Sequence, residues 1–185
     1  PLGVWAARRA RKWDGVAITV LSQIGIAIPS FLAAILLVAW FAVRLKWVPA
    51  NGWSVPSEDF GGFVARLILP VISLGIVQAA IMTRYVRSAV LDVMDEDFMR
   101  TARAKGLSPG QALMAHGLRN AALPVLTVTG LQITNLLIGA VVIEKVFVIP
   151  GLGSMLLQAV TDRDLPTVQT IVMVLVIFAV VVNAM

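Results

Sequence analysis

The sequence predicts an all-α, polytopic membrane protein that carries one polar insert. Of its 185 residues, 59% are hydrophobic and 14% are charged, whereas a soluble domain has about 45–50% apolar and about 25% charged residues. The mean hydropathy is +0.91. Long charge-free runs alternate with short charged segments, which is the pattern of helices that cross a bilayer. Several transmembrane spans are therefore expected.

The spans are predicted from the charge-free runs. The first span, residues 15–43, has 29 uncharged residues, enough at about 1.5 Å per residue for a tilted helix across a hydrocarbon core of about 30 Å. Pro29, near its middle, should kink it. The other spans are predicted at about residues 67–91, 122–146 and 166–185.

The segments between the spans have their own expected structure. Residues 44–66 should form a loop, so that Pro70 falls in the opening turn of the second span. Glu144 and Lys145 mark the outer boundary of the third span. From Leu152, apolar residues at helical spacing predict a short helix at the outer interface.

The distribution of basic residues predicts the orientation and places the polar insert, residues 92–121, in the cytoplasm. Ten basic residues fall on the predicted cytoplasmic side and five on the other: Arg8, Arg9, Arg11, Lys12, Arg84, Arg87, Arg100, Arg103, Lys105 and Arg119 against Arg44, Lys46, Arg66, Lys145 and Arg163. Because these bases sit in clusters next to the spans, the net charge of +5 indicates membrane orientation and no nucleic-acid partner.

The polar insert reads as two short helices with a bend at Gly106. Ser108, Pro109 and Gln111 give the second helix an N-cap, a proline in its first turn and the second half of a capping box. Ahead of the first helix stands the acidic run Asp95–Asp97. This run suits two roles equally, a contact with basic residues of a partner and a favourable charge cluster at a helix N-terminus.

Five sequence blocks carry a resemblance to a known family. One lies in the insert, Phe98–Leu107 (FMRTARAKGL), and one runs from its end into the third span, Leu118–Pro124 (LRNAALP); together they resemble the cytoplasmic loop of ABC importer permeases. The resemblance is closest to the peptide and nickel branch, and within it to the first of the two permease subunits. The remaining blocks, which follow that branch in the same order, are IPSF at 28–31, GAVVIEKVF with PGLG at 139–153, and RDLP at 163–166.

The resemblance implies a permease core with a cytoplasmic coupling-helix loop, in a multi-pass protein of a bacterial-type inner membrane. It implies four kinds of partner besides the lipid bilayer: a second homologous permease subunit forming a heterodimer, two cytoplasmic ATPase subunits that hold the ATP and Mg²⁺, an extracytoplasmic solute-binding protein, and a solute such as a di- or oligopeptide, nickel or a glutathione-like molecule. The resemblance also implies which residues couple the permease to the ATPase subunits. They are Asp97, Arg100, Thr101, Ala102, Arg103, Lys105, Gly106 and Leu107. Where the wider family reads Glu-Ala-Ala, this chain has Arg100, Thr101 and Ala102.

Residues that would support catalysis or cofactor binding are missing from the sequence. There is no cysteine and no G-x-x-x-x-G-K-[ST] phosphate loop, so a thiolate site and a site for ATP in this chain are excluded. His116 is the single histidine, which excludes a His-rich metal site, and it reads as a solvated residue of the second short helix. The sequence predicts no catalytic, cofactor or metal site, and ATP hydrolysis is expected on separate subunits.

The third span has a polar side. At 100° per residue, Gln132, Thr134 and Asn135 share one arc with Thr127, while Leu and Ile occupy the opposite side. Amides facing lipid are costly, so the arc should face protein or water. Two interpretations stay open: Gln132 and Asn135, with Gln78 of the second span, line a translocation path, or they bind helices together by hydrogen bonds.

Two other classes of protein share some of these features. The main alternative is a secondary transporter or channel driven by an ion gradient, which usually carries an ionisable residue at mid-membrane. The long apolar runs here contain no such ionisable residue. The third class is a membrane scaffold for a cytoplasmic enzyme. Co-purification of an ATPase and a solute-binding protein would separate the three.

Overall fold

A computed structural model describes residues 1–184, and over that range it contains helices and no strands. This confirms the predicted all-α class. The helices are α1 (Leu2–Arg8), α2 (Trp13–Ala27), α3 (Ser30–Leu37), α4 (Phe60–Met94), α5 (Asp97–Ala104), α6 (Pro109–Ala112), α7 (Leu118–Phe147), α8 (Leu152–Thr161) and α9 (Leu165–Ala184), and π-helical turns follow α3 at Val38–Arg44 and α6 at Leu113–Gly117.

The first predicted span is broken where the sequence predicted only a kink. Helix α2 ends at Ala27, Pro29 is extended (φ −61°, ψ 143°), and α3 begins at the next residue. A proline lacks the N–H needed to continue a helix and pushes the preceding residue towards an extended conformation. Three helices of the described chain are long and apolar enough to cross a membrane, and the broken pair would supply a fourth if it crosses as one span.

Helix α4 begins in the region predicted as a loop. Asp59 caps it, since the Gly62 N–H donates to Asp59 Oδ1 at 2.8 Å, and Pro70 therefore lies ten residues inside the helix. The prediction that Pro70 occupies an opening turn was wrong because it took Arg66 as the boundary. Arg66 is itself a helical residue, whose guanidinium donates to the Gly62 carbonyl at 3.1 Å.

The helices form two compact units. The first unit combines Pro1–Ala27 with Gln78–Gly130, and the second combines Ile28–Val77 with the chain from Leu131 onwards. The core of the second unit is built around Ala34, Leu69, Ile143 and Phe147. The core of the first unit lies beneath the polar insert and is described with it below. A single domain over residues 1–185 stays a prediction.

The corner between α7 and α8 explains the glycines of the PGLG block. Glu144 Oε2 accepts a hydrogen bond from the Ser154 N–H at 2.8 Å, so a carboxylate of α7 caps the N-terminus of α8. A Cβ on Gly151 would collide with that carboxylate, and one on Gly153 would lie 2.7 Å from the Val141 Cα. The short helix expected there is therefore present, and it is held tightly to α7.

The RDLP block makes the turn between α8 and α9. Asp164 precedes α9, and its carboxylate accepts from the Thr167 N–H at 3.2 Å and from the Thr167 hydroxyl. The hydrogen bonds from the Thr167 side chain and backbone hold the pKa of Asp164 below its usual value, and they outweigh the opposing effect of burial. The ionised carboxylate thus caps α9.

Candidate functional site

The first short helix of the polar insert is α5, and a defined capping motif that includes Gly106 ends it. The Gly106 N–H donates to the Arg103 carbonyl at 2.9 Å, and the Leu107 N–H donates to the Ala102 carbonyl at 3.3 Å. This pair of bonds is the Schellman motif, whose first residue past the helix takes a left-handed conformation. Gly106 has φ +96°, and the bend predicted at this glycine therefore has a backbone cause.

The second helix of the insert starts as predicted and then differs from the prediction. Ser108 and Gln111 form the capping box: the Ser108 N–H donates to Gln111 Oε1 at 3.0 Å, and Ser108 Oγ accepts from the Gln111 N–H at 3.4 Å. The helix does not stop after a few turns. It continues through the π-helical turn Leu113–Gly117 into α7, giving 39 helical residues from Pro109 to Phe147. The expected separate short helix is thus the start of a span.

Close packing accompanies the π-helical turn and ties the two helices of the insert together. A Cβ on Gly117 would lie 2.7 Å from Leu113 Cδ1 of the same turn and 3.5 Å from Met99 Sδ, so the glycine lies within van der Waals reach of α5. Met99 is 2% exposed and Leu113 is fully buried. Gly117 is the one residue between Ala112 and Leu118 that favours a helix end, but it is buried there and the helix continues through it.

The inner face of the insert is fixed to three other helices of the first unit. One apolar cluster contains Ala7 of α1, Ala89 and Val90 of α4, Met99 and Ala102 of α5, Ala112, Leu113, and Ala121 of α7. Because the insert is anchored to the ends of α4 and α7, we expect it and those helix ends to move as one rigid piece. We call residues 97–117 with this cluster the coupling segment.

The implied coupling residues divide between an outer and an inner face of this segment. Six are exposed: Asp97, Arg100, Thr101, Arg103, Lys105 and Gly106. Ala102 is buried and Leu107 half-buried, so these two anchor the segment. Arg100 and Asp97 form an ion pair at 3.3 Å, but an exposed pair of this kind holds its partners only weakly, with a median of about 0–1 kcal/mol.

A shallow groove of about 300 Å³ lies on this surface and adds two residues that sequence reasoning did not assign to the site. Its lining consists of Phe98, Thr101, Ala102, Lys105, Leu107 and His116. His116 is exposed, as interpreted from the sequence. Phe98 is 39% exposed beside the charged residues Asp97 and Arg100, and an aromatic side chain in such a setting was the signal that could have identified it.

The acidic run keeps both of its possible roles. Glu96 is the N-cap residue of α5 and uses its backbone carbonyl, which accepts from the Met99 N–H at 3.1 Å, while Asp97 lies in the first turn. All three carboxylates of the run are exposed. A favourable charge at the helix start and an acidic contact surface are therefore compatible here.

The polar residues on one side of α7 make two different kinds of hydrogen bond. In the second unit, Asn135 Nδ2 donates to Gln132 Oε1 at 2.8 Å, with Gln132 buried and Asn135 exposed. Thr134 binds helices together, because its Oγ1 accepts from Asn183 Nδ2 of α9 at 2.9 Å. Gln78 is a half-buried residue of α4 in the first unit. The path assignment of the two amides and Gln78 stays a prediction.

Comparison with known proteins gives one family. Residues 1–185 match the model of the binding-protein-dependent transport system inner membrane component. The chain is 40% identical over 185 residues to the oligopeptide transport system permease protein AppB of Bacillus subtilis, covering 99% of this chain and 58% of that protein. It is 41% identical over 167 residues to the dipeptide transport system permease protein DppB of the same organism, covering 90% of this chain and 52% of that protein. It is 40% identical over 202 residues to the di/tripeptide transport system permease protein DppB of Pseudomonas aeruginosa, covering 98% of this chain and 60% of that protein. The chain thus spans somewhat more than half the length of these relatives.

Proposed function

The chain belongs to the family of binding-protein-dependent transport system inner membrane components, and we propose that it forms the membrane-spanning core of one permease subunit in an ATP-driven importer. It is a multi-pass protein of the inner membrane. The substrate class we propose is di- and oligopeptides, because relatives at about 40% identity carry peptide transport in their names.

The observation that carries this proposal is the coupling segment. Its exposed face presents charged side chains and a groove, and its buried face is packed against the ends of α4 and α7. An ATPase subunit bound to the exposed face could displace those helix ends as a rigid body, which is a recurrent way of coupling two sites. The segment itself needs no chemistry for this role.

The partners follow from the same mechanism. We propose two cytoplasmic ATPase subunits, which bind ATP and Mg²⁺ and carry out the hydrolysis, a second homologous permease subunit completing the membrane path, and an extracytoplasmic binding protein that delivers the solute. In this arrangement the present chain has no enzymatic activity of its own. The lack of a phosphate loop in the sequence supports the placement of ATP on other subunits.

The proposal is tested by reconstituting the complete transporter in proteoliposomes. We expect uptake of labelled dipeptides or oligopeptides that requires ATP and the binding protein, with nickel complexes and glutathione tested in parallel arms. Uptake driven by an imposed ion gradient without ATP would contradict the proposal. Import of nickel or glutathione but not of peptides would support the proposed ATP-driven importer and contradict the proposed substrate class.

The path prediction is tested in the same system. We expect Gln132→Leu and Asn135→Leu to change the rate or selectivity of uptake while the complex still assembles, since both would remove an amide from the translocation route. Thr134→Val is the control, because it removes a hydrogen bond between α7 and α9, worth about 0.6 kcal/mol on average, and should loosen the packing of these two helices before it alters uptake. Parental uptake of every substrate by both leucine variants, with cysteines at 132 and 135 inaccessible to water-soluble reagents, would show that these amides do not line the path.

A further inference from the structure

The turn between α1 and α2 is built more rigidly than a simple connection requires. Asp14 accepts three hydrogen bonds, from Arg9 Nη1 at 2.7 Å, from Trp5 Nε1 at 3.2 Å and from the Gly15 N–H at 3.0 Å. The Arg9 guanidinium also lies 4.9 Å from the centre of the Trp5 ring. A Cβ on Gly15 would collide with the Arg9 carbonyl, so the start of α2 is pressed against the turn.

This clamp leaves three side chains projecting from the turn. Arg11, Lys12 and Trp13 are all exposed, and Trp13 is 85% exposed. Within residues 1–184 neither Arg11 nor Lys12 forms an ion pair, whereas Arg9 is neutralised by Asp14. The result is a pair of exposed cations beside an exposed aromatic side chain, on a turn whose flanking residues are hydrogen-bonded. Tryptophan and arginine are the residues most enriched among those that dominate the binding energy of protein interfaces.

The turn is continuous with the coupling segment. Ala7, immediately before it, is buried in the same cluster as Ala102 and Leu113. Arg8 reaches the start of α6, where a Cβ on Gly110 would lie 2.9 Å from Arg8 Nη2. The exposed side chains of the turn therefore lie on the part of the first unit that holds the coupling segment, at the cytoplasmic ends of α4 and α7.

We propose that Arg11, Lys12 and Trp13 form a second docking surface for the ATPase subunit that binds the coupling segment. The proposal rests on the proposed function. The partner surface it requires carries carboxylates for the two cations and an apolar recess for the indole. Because the turn and the coupling segment share one buried core, a partner bound to both would be held at two points of a single rigid piece, and rotation about either point would be restricted.

The proposal is tested in the complete transporter by photo-crosslinking. The photoreactive residue benzoylphenylalanine is placed at position 13 in one sample and at position 103 of the coupling segment in another, and the products are identified by mass spectrometry. We expect an adduct with the ATPase subunit from both positions. An ATPase adduct from 103 together with a phospholipid adduct, or none, from 13 would overturn this inference and leave the proposed function standing. Failure at 103 as well would overturn both.

Affinity measurements give a second test. We expect Trp13→Ala, and the double change Arg11→Glu with Lys12→Glu, each to weaken binding of the ATPase subunit by about tenfold or more, and we expect the parental affinity to fall with salt. The matched control is Lys46→Glu with Trp47→Ala, which alters an exposed Lys-Trp pair on the predicted outer side. Equal affinity of the turn variants and the control would contradict the proposal.

Discussion

Replacing Gly106 should uncouple ATP hydrolysis from transport while the protein still inserts into the membrane. The residue has φ +96° and its N–H donates to the Arg103 carbonyl. Alanine would adopt that conformation at a cost of about 1–2 kcal/mol, which corresponds to roughly a tenfold loss of the native bend. Proline should have a larger effect, because it fixes φ near −65° and also removes the donor. Peptide uptake and ATP hydrolysis are measured together in proteoliposomes.

The backbone origin of this effect can be separated from crowding. No atom lies within 4 Å of a Cβ built on Gly106, and the same is true of Gly75 in α4. Of these two glycines, Gly106 alone has a positive φ. Gly75→Ala is therefore the matched control and should leave uptake unchanged. Asparagine tolerates left-handed φ better than alanine, so uptake should decrease in the order Asn, Ala, Pro at position 106. Normal uptake by Gly106→Pro would show that the bend has no role in coupling.

The fold class was predictable because a bilayer allows few structures. Backbone groups in lipid must be satisfied within the segment, so long apolar runs become helices, and charge-free length located α4, α7 and α9 well. The same criterion placed helix ends poorly. α4 starts at Phe60, well before the charged Arg66, because the Asp59 carboxylate caps it there, and hydropathy contains no information about capping.

The candidate site shows the same division between local and tertiary causes. Gly106, Ser108 and Gln111 were recognised because Schellman and capping-box motifs depend on nearby residues. The inner anchors Met99 and Leu113 were not recognised, since burial depends on which helices pack together. The turn between α1 and α2 was interpreted only as a basic cluster that indicates orientation, since residue types alone do not show that Asp14 binds Trp5 and Arg9.

The second large effect is expected from truncating the anchor of α5. Met99 is 2% exposed, and Met→Ala at a buried site typically costs about 2–5 kcal/mol. We expect the loss to appear locally, as release of α5 from the ends of α4 and α7, because the spans themselves are untouched. Hydrogen exchange of the α5 amides should accelerate by roughly 30-fold or more, and transport should become uncoupled from ATP hydrolysis.

A surface methionine and a second anchor make this prediction specific. Met114→Ala is the control, since Met114 is 63% exposed and changes at such sites usually stay within about 0.5 kcal/mol. Leu113→Ala should mimic Met99→Ala. Because Met99 and Leu113 both pack against Gly117, their effects on exchange should be non-additive in a double-mutant cycle. If Met99→Ala behaves like Met114→Ala, or if its effect adds independently to that of Leu113→Ala, the shared core does not hold α5 to the spans, and force applied to α5 would need another route to α4 and α7.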